Sequence, residues 1–378
     1  MTSNGSEGVV AVFHGIKQPF TFLSFPIPDP APGAVVLKMR LANICGSDLH
    51  YWRGDADLVG RGFEMPYALG HEGVGEVFRL GTGVATDSAG QPVREGDRVV
   101  FRYFDPCGRC AVCLRDHPYA CPYRQRERLR GVRHWPHFRG TFAQYYYLYP
   151  GHTMFRVPEG LTDASVAGVN CALTQVVSGL DRAKLRPGES VAIQGAGGLG
   201  LYAAAIARSR GAGPIIAIDG ISSRLELARA FGADETVDIT QADTPEARVQ
   251  AVRDLTGGLG ADVTLELVGH PGVVAEGVYM TAPGGRFVEI GNINVGWAGS
   301  FDPSDAVLRS VTLIGVAHYR ARDLAAALAF VARESGRLPF DEMLASRFDL
   351  TDINDAFVQQ DAGHVTRSAL APHPAEVA

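Results

Sequence analysis

The chain has 378 residues, 46% of them apolar and 20% charged, with 45 glycines and a net charge of −6. A chain of this length can bury a core without disulfide staples, and length alone favours two or three domains. The acidic balance excludes a general nucleic-acid or anionic-membrane binder, no apolar run reaches the ~18 residues of a membrane span, and six cysteines are too few for a disulfide scaffold. The polar N-terminus shows no basic-then-apolar leader, so a soluble cytoplasmic protein is expected.

Up to about residue 165, short β-rich runs at 9–13, 34–44, 73–80 and 98–102 alternate with turn clusters. Among these is Pro26-Ile27-Pro28-Asp29-Pro30, where proline fixes φ and removes ladder donors. The pattern predicts an irregular antiparallel β domain, with 86–93 as a polar surface loop. The texture changes near Gly168. Apolar strands at 190–194, 215–218, 263–267, 287–290 and 311–316 follow, all expected to be buried, with helices at 199–210 and 222–231. That alternation predicts a doubly wound parallel sheet with helices on both faces. A further amphipathic helix is expected at 322–334, and a mobile tail from about Pro372.

Gly195-x-Gly197-x-x-Gly200 follows an apolar strand and opens a helix, as a dinucleotide fingerprint requires. Gly195 permits the tight turn, Gly197 lets the backbone approach a pyrophosphate, and Gly200 lets helix and strand pack closely. Gly198 and Leu199 begin the helix, whose N–H groups suit a phosphate. Asp219, 24 residues after Gly195, ends the next strand, where a carboxylate accepts from the ribose hydroxyls of NAD and repels a 2′-phosphate. Arg224 on the following helix leaves NADP open.

Cys107, Cys110, Cys113 and Cys121 sit on one short loop. Four thiolates so close surround a tetrahedral ion with no open position, as structural zinc prefers. An iron–sulfur cluster is the rival, since Pro122 follows Cys121. Cys45, His71 and Cys171 are far apart in sequence, and together they offer a three-ligand zinc set with a vacant fourth position.

Cys45-Gly46-Ser47-Asp48-Leu49-His50, Gly70-His71-Glu72, the cysteine lobe, the glycine-rich turn and Asp219 together resemble a zinc-containing medium-chain dehydrogenase/reductase of the alcohol dehydrogenase type. The resemblance spans nearly the whole chain and includes features of the polyol branch, which usually carries Glu at the position of Cys171. It implies an α/β fold. A GroES-like β-rich catalytic domain with a zinc lobe would comprise 1–172 and 317–378, and a doubly wound Rossmann NAD-binding domain 173–316, with the active site in the cleft between them. It implies one catalytic and one structural zinc per chain, NAD, a small alcohol or carbonyl substrate, and a homo-dimer or homo-tetramer that binds neither nucleic acid nor membrane.

By the same resemblance, Cys45, His71 and Cys171 are the catalytic zinc ligands and Glu72 is the carboxylate behind the zinc. Asp48 orients His71. Ser47 hydrogen-bonds the alcohol, His50 ends the proton relay, and Arg367 clamps the pyrophosphate. Tyr51, Trp52 and Tyr103 are expected on the pocket wall. A zinc-free enone reductase of the same fold and a non-catalytic cofactor-binding protein are the rivals, and neither needs Cys45, His71 and Cys171 together. Finally, Arg124, Arg126, Arg128, Arg130, Arg133, His134, His137 and Arg139 reverse the local sign of charge, which suggests an anionic substrate.

Overall fold

The computed structural model describes residues 6–124, 127–344, 346–365 and 367–373. Its contacts divide the chain into two compact units. One comprises Met1–Cys171, Leu324–Ser335 and Phe340–Ala378, and the other Ala172–Asp323 and Gly336–Pro339.

The first unit is β-rich. Strands β1 (Glu7–Val12) and β2 (Thr21–Pro26) form an antiparallel ladder. A larger sheet runs β14 (Ser346–Asp349), β15 (Ser368–Ala371), β3 (Val35–Asn43), β4 (Glu72–Leu80), β5 (Arg98–Phe101) and β7 (Met154–Arg156), with β6 (Tyr145–Leu148) also paired to β3. Strand β3 shows why this half reads as alternation broken by turns. Val35, Leu37 and Met39 pack with Val77, Val99 and Phe101, while Val36 packs among Val10, Val12 and Tyr147 on the opposite face. Both faces are therefore buried. Helices α1 (Gly46–Arg53), α2 (Ala111–Leu114), α3 (Asp163–Ala167) and α11 (Ile353–Asp361) are short insertions, and Phe357 of α11 joins Phe13, Phe20, Ile44 and Phe142 in one core.

The second unit is a parallel sheet in the order β10 (Glu235–Asp238), β9 (Ile215–Asp219), β8 (Val191–Gln194), β11 (Ala261–Glu266), β12 (Thr281–Glu289) and β13 (Thr312–Gly315). Its helices are α4 (Thr174–Arg182), α5 (Gly198–Ser209), α6 (Ser222–Ala230), α7 (Pro245–Asp254), α8 (Val274–Met280) and α9 (Pro303–Leu308). Helix α10 (Ala321–Glu334) begins in this unit and continues into the first. Chain order reverses between β8 and β11, which makes the carboxyl ends of these strands the ligand-binding edge. This is the Rossmann arrangement.

Two expectations need correction. Strand β13 is an exposed edge, with Leu313 47% accessible, because only one neighbour covers it. Residues 86–93 do form a surface loop, exposed except at Asp87 and Val93, whose turn is fixed by the Asp87 carboxylate accepting from the N–H groups of Ala89, Gln91 and Arg156. Of the expected tail, His373 is packed against Tyr145 and bonded to the Gln144 carbonyl, while 374–378 lie outside the described residues. No described helix is long and apolar enough to cross a membrane.

Candidate active site and cofactor-binding turn

Four donors from distant parts of the first unit converge. Ligand atoms of Cys45, His71, Glu72 and Cys171 all lie within 4.8 Å of one another. Cys45 is the N-cap of α1, where the helix dipole favours a thiolate. His71 and Glu72 stand at the start of β4, and Cys171 sits in a single π-helical turn, Val169–Leu173. Such widened turns recur at functional sites because they re-aim one side chain.

Each donor is braced. The Asp48 carboxylate accepts from the Cys45 N–H at 3.0 Å and lies 3.5 Å from His71 Nδ1, which directs Nε2 toward Cys171 Sγ at 3.4 Å. Asn170 holds the loop from behind, donating to the His71 carbonyl at 3.0 Å and accepting from the Gly73 N–H. Arg128 donates to the carbonyls of Tyr103 and Gly70, and the Tyr103 ring packs 4.9 Å from the His71 ring. Sequence reasoning gave no role to Asn170. An amide directly before a ligand cysteine was the only signal.

The cluster is electrostatically expensive on its own. The hydrogen bond from Cys171 drives the Cys45 thiol well below its usual range, whereas burial and the facing Cys45 push Cys171 well above it. Burial opposes charge on His71, but Asp48 and Cys45 outweigh it and hold the imidazole up at about 10. Burial lifts Glu72 to about 8 against the pull of Arg367. Glu72 Oε1 is buried with no hydrogen-bond partner among the described residues. A divalent cation answers all of these at once, and the geometry suits one. A tetrahedral zinc with one sulfur and one nitrogen ligand separates them by about 3.6 Å, close to the 3.4 Å found here.

The second thiol set, Cys107, Cys110, Cys113 and Cys121, also lies within 4.8 Å of itself. Its sulfur separations of 3.6 Å and 3.9 Å bracket the roughly 3.8 Å between thiolates on tetrahedral zinc. Cys110 caps α2 and accepts from the Cys113 N–H.

Ser47 and His50 lie one turn apart on α1, hence on one face, and His50 Nδ1 is 2.9 Å from Asp55. Arg367, expected on a pyrophosphate, is buried in an ion pair with Glu72. Of the three expected wall residues, Trp52 packs on Phe357 and Tyr51 joins the same core, whereas Tyr103 packs against the His71 ring.

In the second unit the glycine-rich turn has the expected form. Gly195 has φ +92°, and a Cβ at Gly200 would meet the Gly195 carbonyl oxygen at 2.0 Å. Gly197 caps α5 and faces open space, ahead of Gly198, Leu199 and the helix. The Asp219 carboxylate accepts from the N–H groups of Ala196 and Ile221, tying the turn to β9, with Arg224 3.8 Å away.

The basic segment is not an open anion cradle. Arg139 donates to the carbonyls of Gly131, His134 and Trp135, and Arg124 to that of Cys121. His134 pairs with Glu64, Arg130 with Glu127, and His137 stacks on Phe25. Arg133 is exposed, and Arg126 lies outside the described residues. Arg124, Arg128 and Arg139 thus hold the segment's own fold, and their engagement weighs against the expected anionic substrate.

Residues 31–159 match the alcohol dehydrogenase GroES-like domain family, and 198–333 the zinc-binding dehydrogenase family. The 5-exo-hydroxycamphor dehydrogenase of Pseudomonas putida is 32% identical over 350 residues, 91% of this chain and 93% of that protein. D-xylulose reductase A of Aspergillus oryzae is 28% identical, over 98% of this chain and 97% of that protein. The crystal structure of an alcohol dehydrogenase from Thermotoga maritima superposes with a TM-score of 0.90 at 29% identity, covering 98% of this chain and all of that one.

Proposed function

The chain belongs to the zinc-containing alcohol dehydrogenases of the medium-chain dehydrogenase/reductase family, oxidoreductases that interconvert alcohols and carbonyl compounds, and from that premise we propose an NAD-dependent enzyme with a catalytic and a structural zinc. The observation that carries this reading is the buried convergence of Cys45, His71, Glu72 and Cys171 in a chain whose other unit bears a complete dinucleotide turn.

When bound, zinc supplies Lewis acidity toward the substrate oxygen and the dinucleotide supplies the hydride acceptor. The chain's own residues do the rest. Cys45, His71 and Cys171 would hold the metal, Asp48 fixes the imidazole so that Nε2 would be its ligand atom, and Glu72, restrained by Arg367, would be a reserve carboxylate ligand. The Ser47 hydroxyl takes up the substrate proton as it gives up its own, and His50, one helical turn away and bonded to Asp55, ends a relay that would pass through the cofactor ribose. The Gly195–Gly200 turn and the start of α5 receive the pyrophosphate, and Asp219 accepts from the adenosine ribose. The four-cysteine lobe is structural.

The substrate we favour is a neutral alcohol with an apolar ring. Its support is the Tyr103 ring against His71, the engaged state of the basic segment, and the 32% identity to a dehydrogenase named for hydroxycamphor. Cys171, rather than the Glu usual in the polyol branch, points the same way. Exposed Leu313 on β13, with Val307 and Leu308 on α9, supports a homo-dimer or homo-tetramer, and six free cysteines suit the cytoplasm. A panel of cyclic alcohols and polyols, each followed at the NADH absorbance with NAD and then NADP, tests the reading. Higher kcat/KM for NAD and for cyclic alcohols is expected. A preference for NADP would show that Arg224 overrides Asp219, and a preference for polyols would remove the substrate assignment.

A further inference from the structure

At the carboxyl end of the parallel sheet, the last residues of three neighbouring strands form a polar row. Gln194 of β8 pairs in register with Glu266 of β11, and Glu266 with Glu289 of β12. Register neighbours project to the same face, so two carboxyl groups meet side by side, Glu266 fully buried and Glu289 partly buried. They lie within hydrogen-bonding reach of each other.

Glu266 also fastens two loops. One oxygen accepts from the N–H groups of Val268 at 2.7 Å and Gly269 at 2.8 Å, in the loop after β11, and the other accepts from Asn292 Nδ2 at 3.1 Å, in the loop after β12. Glu289 Oε1 accepts from both the Asn292 N–H and its Nδ2. The packing is close enough that a Cβ at Gly291 would meet Glu266 Oε2 at 2.6 Å. Glu289 Oε2 is buried and has no other partner among the described residues.

Two adjacent buried carboxylates cannot both ionise cheaply. Burial and the facing Glu289 push Glu266 up to about 9, so one proton stays with the pair at neutral pH. Among the described residues, the hydrogen-bond partners of the pair include no cation. Gln194 and Asn292 are neutral, and the nearest ionic groups reached through Gln194, Glu276 of α8 and Arg248 of α7, neutralise each other at 2.7 Å.

The reversal of chain order divides the cofactor edge in two. The glycine-rich turn and Asp219 occupy the β8–β9 half, leaving the β11–β12 half for the second mononucleotide. We propose that Glu266 and Glu289 share one proton, and that the single negative charge so fixed biases the chain toward the oxidised, cationic nicotinamide over the reduced, neutral one. This rests on the dinucleotide reading above. Glu266 and Glu289 are positioning residues in this scheme, acting through charge and through the loops they hold.

A shared proton has a distinctive signature. If the proton is shared, removing either carboxyl, by Glu266→Gln or by Glu289→Gln, leaves the other free to ionise, so each single variant keeps the charge. Only the double variant loses it. The dissociation constants of NAD and NADH, measured by titration calorimetry on the zinc-loaded protein, read this directly. The ratio Kd(NAD)/Kd(NADH) should stay within about twofold of wild type in each single variant and rise about fivefold or more in the double. A ratio that shifts in each single variant, or that stays fixed in a double variant with a wild-type-like melting curve, overturns the proposal. Should the double variant fail to fold, the infrared difference spectrum between wild type and Glu289→Gln decides. A protonated-carboxyl band present in the first and lost in the second supports the shared proton, and its absence from wild type refutes it. If wild type binds neither NAD nor NADH, the dinucleotide reading itself falls, and the bias with it.

Discussion

The two thiol clusters use the same ligand atom and are built in opposite ways. The lobe draws Cys107, Cys110, Cys113 and Cys121 from one loop, three of them only partly buried, with bracing from short local bonds such as Cys113 N–H to Cys110 Sγ. The other cluster draws Cys45, His71, Glu72 and Cys171 from the start of a helix, the start of a strand and a π turn, all inside the protein. Its bracing is long-range: Asn170 to His71, and Arg367 to Glu72 across 295 positions. A local set can close around an ion without help from the fold. A dispersed set exists only once the fold has formed, so it can be held with one position open for chemistry.

That contrast is sharpest in Cys171→Ala. The account predicts a loss of at least ~10³-fold in kcat/KM, with near-wild-type melting, since the fold does not depend on that thiol to assemble. Turnover near the wild-type rate would break the comparison. Asp48→Asn is next. It keeps the side-chain shape but removes the charge facing His71 Nδ1, so zinc affinity or turnover should fall roughly 10–100-fold. A titration with a competing zinc chelator measures it. Cys110→Ala should act in the opposite sense, lowering the melting temperature by ~5 °C or more while part of the activity survives. An equally heat-stable variant would show that the lobe has no structural task.

The smallest effect concerns pH. Glu266 is held up at about 9 in the fold and returns to the ordinary carboxylate range when unfolded. Between those values the native state binds more protons than the unfolded one, so this group makes stability fall as pH rises from about 5 to 9. Glu266→Gln cannot ionise, and its melting temperature should fall less over that window than wild type's. Parallel curves would remove the buried-acid assignment.

The same contrast explains what was legible in the sequence. The lobe announced itself by spacing, because its ligands are neighbours in the chain. The glycine-rich turn did so too, since strand, turn and helix are contiguous at Val191–Ser209. Cys45, His71 and Cys171 were joined only by their donor chemistry and by resemblance, for nothing local in composition or periodicity relates Cys171 to His71. Strands β14 and β15 were missed because four residues carry little periodicity, and β15 finds its partner in β3, more than 300 residues away. The basic segment misled for a related reason. A run of cations reads as a surface until the carbonyls that Arg128 and Arg139 hold are visible. Glu266 and Glu289 looked like ordinary strand ends, and only sheet register brings them together.

Counting zinc per chain by native mass spectrometry tests the two-cluster account most directly. Wild type should hold two ions, and Cys171→Ala and Cys110→Ala one each, with turnover lost only in the first. A Cys171→Ala protein that still holds two zinc ions, or a wild-type protein fully active with one, would contradict it.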